Sequence, residues 1–479
     1  MTEGSASSST SPASTTTDQP AEGFGIDTTR RDTAGALRDY VSRLRGGQLG
    51  ALPALLGLAT LFVVFALLSD RFLTLGNLAN LLSQGAGTAV IAMGLVFVLL
   101  MGDIDLSAGT ASGVAASVMA LHLVEGGNLL GAMGGTVFAV FCGGLVVAAV
   151  LALVMRVWAG AAMAILGLLL VLLGVPANPW LEMLLAICVG AAIGCITGFL
   201  VARVGIPAFV VTLALFLAWG GVVLQLIGQG GTLGLRNDVM FSVANGNLPI
   251  WGSWLLFVLA AGGYSALLLI RHFNRLRHDL VAQPTPLVLT RVGAVLALGA
   301  SATWLLTINR SNSETIQIAG VPYVVPIVLV LLVLGTFVLD RTRYGRHLYA
   351  IGGNREAARR AGIDVAKLRM SVFVVCSTVA AVGAIIYSSK VGSVDPQAGG
   401  GNTLLFAVGA AVIGGTSLFG GKGRVRDAVI GGAVIATIDN GLGLLGQSAA
   451  MVSIVTGLVL LLAASVDAVS RRRAAAVGR

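Results

Sequence analysis

A succession of long apolar runs constrains this chain more than any other feature. A bilayer core is about 30 Å thick, so a spanning helix needs about 20 mostly apolar residues. Runs of this kind fall at 51–69, 84–101, 107–124, 131–154, 159–175, 181–202, 208–228, 249–270, 289–308, 321–339, 371–389, 403–419, 427–446 and 450–468. They predict an all-α polytopic membrane protein with about 10–14 membrane segments. The runs at 84–101, 107–124 and 403–419 are short and glycine-interrupted, which reads as broken or re-entrant. Such backbone is tolerated at membrane depth only where protein or a water-filled cavity covers it. Folding in water is excluded by the balance of side chains, 56% apolar against 11% charged. An ordinary soluble domain carries about 25% charged residues.

The polar residues mark the ends of the segments. Residues 1–48 are Ser/Thr-rich and close on Arg30, Arg31, Arg38, Arg43 and Arg45. Too little apolar surface is present there to order the chain, so a disordered cytoplasmic tail is expected, and not a secretory leader. With that tail inside and every segment crossing, the loops at 155–158, 203–207, 271–288, 340–370 and 420–426, and a basic tail at 471–479, fall inside. All Lys and Arg except Arg71, Arg236, Arg310 and Lys390 then lie in or beside inside regions. That is a strong positive-inside bias. The net charge of +9 therefore reports topology and gives no sign of nucleic-acid binding. The transmembrane body is expected over 49–470, with both termini cytoplasmic. Cys142, Cys188, Cys195 and Cys376 sit inside apolar runs without metal-ligand spacing.

One inside loop is unusual. Residues 341–369 gather eight of the thirty Lys and Arg residues. Asn354 is suited to cap a helix, Glu356 follows at its positive end, and Gly362 can close it in a left-handed conformation. A two-turn helix over 355–361 is predicted. Isolated helices that short are marginal in water, so it needs something to pack on, and Ile363 and Val365 offer an apolar contact. The residues alone leave two readings: a linker whose arginines touch anionic lipid, or a docking helix that passes motion from a cytoplasmic subunit to the membrane helices.

EAARRAG (356–362) resembles the EAA…G loop of ATP-binding-cassette importer permeases. The run RTRYGRHLYAIGGNREAARRAGIDVAKLR (341–369) is similar to the ribose/xylose branch of that family. NLANLLSQGAGTAVIAMGLVFVLLMGDIDLSAGT (77–110), VARVGIPAFVVTLALFLAWGG (201–221) and GAAVIGGTSLFGGKGRVRDAVIGGAVIATIDNGLGLLG (409–446) resemble further family stretches, in family order. The resemblance implies the type II importer permease fold and a binding-protein-dependent sugar importer of the bacterial inner membrane. It implies a pair of permease copies, two cytoplasmic ATPase subunits that hold ATP and Mg, an extracytoplasmic sugar-binding protein, and no cofactor on this chain. It makes the helix near 355 the ATPase-coupling helix, with Asn354, Arg355, Glu356, Ala357, Ala358 and Gly362 as its residues. Two departures stand out. Trp219 occupies a position where the family often has a basic residue. The chain also carries extra apolar segments at 159–175 and 289–308, which, with Asp103 ahead of IDLS, resemble the xylose-type permeases.

Other candidates need weighing one by one. Asp103, Asp105 and Ser107 have two roles open to them, a gate or a cap for the next helix. GGTSLFGGKGR (414–424) fails as a phosphate loop, because the G-x-x-x-x-G-K-[ST] pattern needs glycine where Thr416 stands and a hydroxyl where Gly423 stands. A tight turn is expected there, and a partner must supply the energy. Gly190, Gly194 and Gly198 form a stripe for close helix approach. Phe209, Thr212, Phe216, Trp219, Gln225, Tyr387 and Phe406 are the pathway candidates by residue type, of which Phe209, Thr212, Trp219 and Phe406 are carried forward, and Glu182 and Asp439 are acids that can face a cavity. An ion-coupled sugar transporter is the alternative, although it needs midplane titratable groups. A membrane enzyme is a third reading, against which the four histidines stand scattered.

Overall fold

The computed structural model describes residues 50–476, apart from 230, 279, 312–314 and 316, together with positions 35 and 38. The expected tail at 1–48 lies almost wholly outside the described residues, as do 477–479. The helices, in chain order, are α1 (Leu52–Leu68), α2 (Leu75–Leu100), α3 (Ala108–Val124), α4 (Leu129–Val154), α5 (Trp158–Leu172) and α6 (Pro179–Phe199). A π-helical turn (Leu200–Val204) leads to α7 (Ala208–Ile227). Then follow α8 (Asp238–Asn245), α9 (Ile250–Phe257), α10 (Gly263–Arg277), α11 (Thr285–Thr307), α12 (Val324–Arg341), α13 (Arg343–Gly353) and α14 (Arg355–Arg360). The chain ends with α15 (Val365–Val391), α16 (Asn402–Gly414), α17 (Val425–Leu444) and α18 (Ala449–Ala476). A two-residue ladder pairs β1 (Leu233–Gly234) with β2 (Ser393–Val394), antiparallel, Leu233 opposite Val394.

Every one of the fourteen apolar runs becomes helix. Among the described residues ten spans are long and apolar enough to cross a bilayer, α9 and α10 forming one through a π-helical turn, and α1, α3, α5 and α16 are shorter. One expectation is corrected. The segment at 84–101 is neither short nor broken; it belongs to the unbroken 26-residue α2. Its glycines are contact points. A Cβ on Gly94 would lie 2.8 Å from the Cys376 carbonyl oxygen, and one on Gly85 would lie 2.6 Å from the Ala436 Cβ. Small residues let backbones approach where van der Waals packing drives association.

α2, α3, α6, α15, α16 and α17 form the interior, with α15 packed on both α2 and α6. The Gly190, Gly194 and Gly198 stripe of α6 lies on the α15 backbone. Added Cβ atoms would sit 2.6, 2.6 and 2.8 Å from the carbonyl oxygens of Ser377, Phe373 and Met370. α5, the first extra segment, is built in, since Gly160 backs onto Cys195 and Gly167 onto Cys188. α11, the second, packs chiefly against α9 and α10. Caps follow the sequence: Thr74, Asn128, Asn178, Asn237, Thr342 and Asp364 each accept from a first-turn amide. Such caps contribute about 1 kcal/mol each.

The loops sort to two ends. At one end, Gly421 N–H donates to the Leu100 carbonyl (2.9 Å) and Tyr349 Oη donates to the Gly423 carbonyl (2.8 Å). This joins the α2–α3 loop, α13 and the α16–α17 loop. At the other end, β1 pairs with β2 and Asn247 bridges to Pro322. Two loops that the charge distribution assigned to one side, 340–370 and 420–426, thus meet at one end.

Candidate functional site

The short basic helix forms as its sequence dictates. Asn354 Oδ1 accepts from Ala357 N–H at 2.9 Å, and Gly362 closes the turn at φ +81°. Glu356 accepts from Arg359 Nη2 and Arg360 Nε, each at 3.1 Å. Those hydrogen bonds, Arg359's first, hold its carboxyl below the ordinary value. Glu356, Arg359 and Arg360 all face solvent, 51%, 71% and 79% exposed. Such exposed pairs contribute little to stability and leave their charges available to a partner. The helix is held from beneath: Ala358 is buried, and Ile363 and Val365 pack against the same cluster.

The first residue of α14 points the other way. Arg355 Nη2 reaches the Asp103 Oδ1 at 3.5 Å and the Met101 carbonyl at 3.4 Å. Arg369, in the first turns of α15, grips the same carboxylate with both ends of its fork. Nε donates to Oδ2 and Nη2 to Oδ1, each at 2.6 Å. Its remaining Nη1 donates to the Val201 carbonyl at 2.9 Å. Asp103 is 6% and Arg369 14% exposed. A bidentate guanidinium–carboxylate pair is short, strong and directional. Asp103 and Arg369 together therefore tie α14, α15, the π-helical turn after α6 and the α2–α3 loop into a single junction. Close beside it, a Cβ on Gly352 would lie 1.9 Å from the Leu100 carbonyl oxygen. Tyr344 Oη bonds Ser371 Oγ at 2.9 Å, and burial pushes that phenol up to about 12.

The loop runs inward from this junction. Asp105 is fully buried, and its Oδ1 accepts from Ser107 N–H (2.9 Å) and Ser107 Oγ (2.6 Å), bracing the start of α3. Among the described residues Asp105 Oδ2 has no hydrogen-bond partner. Thr212 Oγ1 lies 3.1 Å from the Ile104 carbonyl and 2.8 Å from the Ala208 carbonyl. From the opposite end, the loop after β2 descends onto α3, where a Cβ on Gly113 would lie 1.9 Å from the Ala398 carbonyl oxygen. A cavity of about 180 Å³ opens there, lined by Thr110, Phe216, Gly220 and Gln397.

The four pathway candidates carried forward from the sequence do not form one patch. Phe209 is 55% exposed on α7, and Thr212 is fully buried in the bonds just described. Trp219 packs against the cluster holding Val114 and Val223, and its Nε1 has no partner among the described residues. Phe406 lies half-buried on α16. The sequence did not anticipate the convergence of Arg355 and Arg369 on Asp103. Nor did it anticipate the buried contact of His122 Nδ1 with Glu182 Oε1 at 2.7 Å.

This arrangement is a helical body with an exposed charged helix anchored at one end by ion pairs. Residues 157–464 match the family described as branched-chain amino acid transport system / permease component, and the chain belongs to that family. It is 32% identical over 407 residues to the xylose transport system permease protein XylH of Escherichia coli K12, covering 84% of this chain and 87% of that protein. It is 29% identical over 442 residues to XylH of Haemophilus influenzae, covering 90% of this chain and 99% of the relative. The ribose import permease protein RbsC of Escherichia coli K12 is 28% identical over 414 residues, with 86% and 92% covered. No solved structure matches the chain.

Proposed function

We propose that this chain is the membrane-spanning permease subunit of an ATP-driven, binding-protein-dependent importer of monosaccharides, with xylose-like pentoses as the leading substrates. The observation that carries it is the Asp103 junction. An exposed charged helix is joined by ion pairs to the loop that heads α3. The names of the full-length relatives, xylose and ribose permeases, support a sugar over the amino acid of the family description, because those matches extend over nearly the whole of each protein.

The mechanism is alternating access. Asn354, Arg355, Glu356, Ala357, Ala358 and Gly362 form the coupling element, which seats in a cleft of a cytoplasmic ATPase subunit. ATP binding draws two ATPase subunits together and displaces α14. Arg355 and Arg369 carry that displacement to Asp103, and the loop 101–107 moves the inner end of α3. Opening toward a loaded extracytoplasmic binding protein follows, and hydrolysis resets the cavity. ATP and Mg sit on the ATPase subunits, since GGTSLFGGKGR lacks the phosphate-loop pattern. A second permease copy completes the pathway. The basic loops set the orientation, with both termini cytoplasmic in the inner membrane.

The test is reconstitution in liposomes with a cognate ATPase and binding protein. Sugar-loaded binding protein should stimulate ATP hydrolysis and uptake. Glu356→Lys, which reverses an exposed charge, should lower stimulated hydrolysis at least tenfold while membrane insertion is unaffected. Full stimulation by that variant removes α14 from the coupling role.

A further inference from the structure

A second polar assembly lies at the end of the bundle opposite Asp103. Gln84 Nε2 on α2 donates to Asp439 Oδ2 on α17 at 2.6 Å. Asn440 Nδ2 lies 3.2 Å from Gln84 Oε1 and 2.9 Å from Asn77 Oδ1, and Asn77 Nδ2 returns a bond to Asn440 Oδ1 at 2.9 Å. Among the described residues Asp439 has no cationic partner, and Gln84 is its one hydrogen-bond donor. At 1.5 Å per residue, Asp439 and Gln84 sit about 7–14 Å inward from the ends of their helices. A carboxylate inside a membrane body faces protein or a water-filled path, because exposure to lipid is costly.

Helix geometry fixes where Gln84 points. Successive residues turn about 100°. Gly85 backs onto Ala436 and Gly432 of α17, whereas Gly87 backs onto Gly383 and Tyr387 of α15. Gln84 falls between those two directions, so it projects into the gap that α15 and α17 flank. The Tyr387 side chain, 45% exposed, borders the same gap, and Asn80, one turn before Gln84, is exposed on the same face of α2.

We infer that Gln84, Asp439 and Tyr387, with Asn80 beside them, form a polyhydroxyl-binding subsite in the outward half of the pathway, which takes a monosaccharide as the binding protein releases it. This rests on the importer reading above. A sugar hydroxyl both donates and accepts, so its site needs acceptors and donors side by side. A carboxylate only accepts, a carboxamide does both, and an aromatic face covers the apolar side of the ring. A hydroxyl bonded to an ionised carboxylate makes the stronger, charge-assisted bond. An unpaired carboxylate beside two amides and an exposed phenol supplies that set. Of the residue-type candidates only Tyr387 belongs to this set, and Thr212 is consumed by backbone contacts.

The test uses the complex reconstituted with its ATPase and binding protein. Uptake of the transported monosaccharide is compared with uptake of its single-deoxy analogues, at saturating loaded binding protein. Asp439→Asn keeps the shape and the contact with Gln84 but removes the charge. It should lower uptake about tenfold and flatten the preference for the full sugar over the analogue lacking the bonded hydroxyl. Tyr387→Ala, at an exposed position that tolerates truncation, should lower uptake of all of them, and it reads out the site if Asp439→Asn fails to assemble. Uptake within twofold of wild type in the assembled variants, with unaltered preference, overturns the subsite and leaves the importer standing. A wild-type complex that hydrolyses ATP and moves no monosaccharide overturns the importer reading itself.

Discussion

Asp103 shows what a single side chain can do at the edge of a membrane body. Its carboxylate is nearly buried and receives both ends of the Arg369 fork. Removing one partner of such a pair leaves an uncompensated charge, at a cost of about 3–5 kcal/mol for a buried pair. Asp103→Asn should therefore lower the thermal midpoint of the purified protein in detergent more than any exposed charge substitution on α14. Arg369→Lys keeps the charge but loses the planar fork, so its loss should be the smaller of the two. Equal midpoints for wild type and Asp103→Asn would mean that the ion pair adds no stability. The sequence offered a signal for this pairing that composition could not turn into a contact. Arg369 is the last charge before an apolar run and Asp103 comes just after one, so both lie at the same depth. His122 and Glu182 carry the same signal at the other end, where one stands near the close of the run at 107–124 and the other near the start of the run at 181–202. Depth was legible; which of several basic residues at that depth faces Asp103 was not, because that depends on how α2 and α15 are rotated against each other.

Helices were the most legible level. Asn354, Gly362 and the apolar contacts at Ile363 and Val365 all stand where local chemistry puts them, because capping and turn closure are decided within a few residues. The error at 84–101 has the opposite origin. In water a glycine inside a helix weakens it, by about 1 kcal/mol relative to alanine. In α2, however, Gly85, Gly87 and Gly94 are the positions where α17 and α15 come closest. Glycine as a break and glycine as a contact look alike until the neighbouring helix is known. The stripe on α6 was legible because its spacing of four repeats. It makes a direct prediction. Gly194→Ile places a branched side chain where even a Cβ lies 2.6 Å from the Phe373 carbonyl oxygen and 2.6 Å from Val374 Cα. Both neighbours are backbone, so α6 and α15 must part. Overpacking of this kind costs about 1–3 kcal/mol, read as a lower detergent melting temperature. Gly143→Ile on α4, with open space around its Cβ, should leave the melting temperature within error of wild type.

At the scale of the whole molecule, charge and contact give complementary information. Contacts gather the loops at 101–107, 342–364 and 415–424 at one end and those holding β1, β2 and Pro322 at the other. They fix relative sidedness without saying which end meets the cytoplasm. The positive-inside bias supplies the expected sign, with α14 on the cytoplasmic side. An energy-transducing role for α14 requires this orientation, because ATP is cytoplasmic, so sidedness decides the mechanism as well as the topology. The native thiols help the measurement: Cys188, Cys195 and Cys376 are buried, and only Cys142 is half-buried among the described residues. With Cys142 replaced by alanine, Glu356→Cys and Arg236→Cys become single reporters at exposed positions on opposite ends. In right-side-out vesicles a membrane-impermeant maleimide should label Arg236→Cys at once and Glu356→Cys only after permeabilisation. The reverse pattern would place the charged helix outside, beyond the reach of any ATPase, and the ion pairs at Asp103 would then transmit nothing.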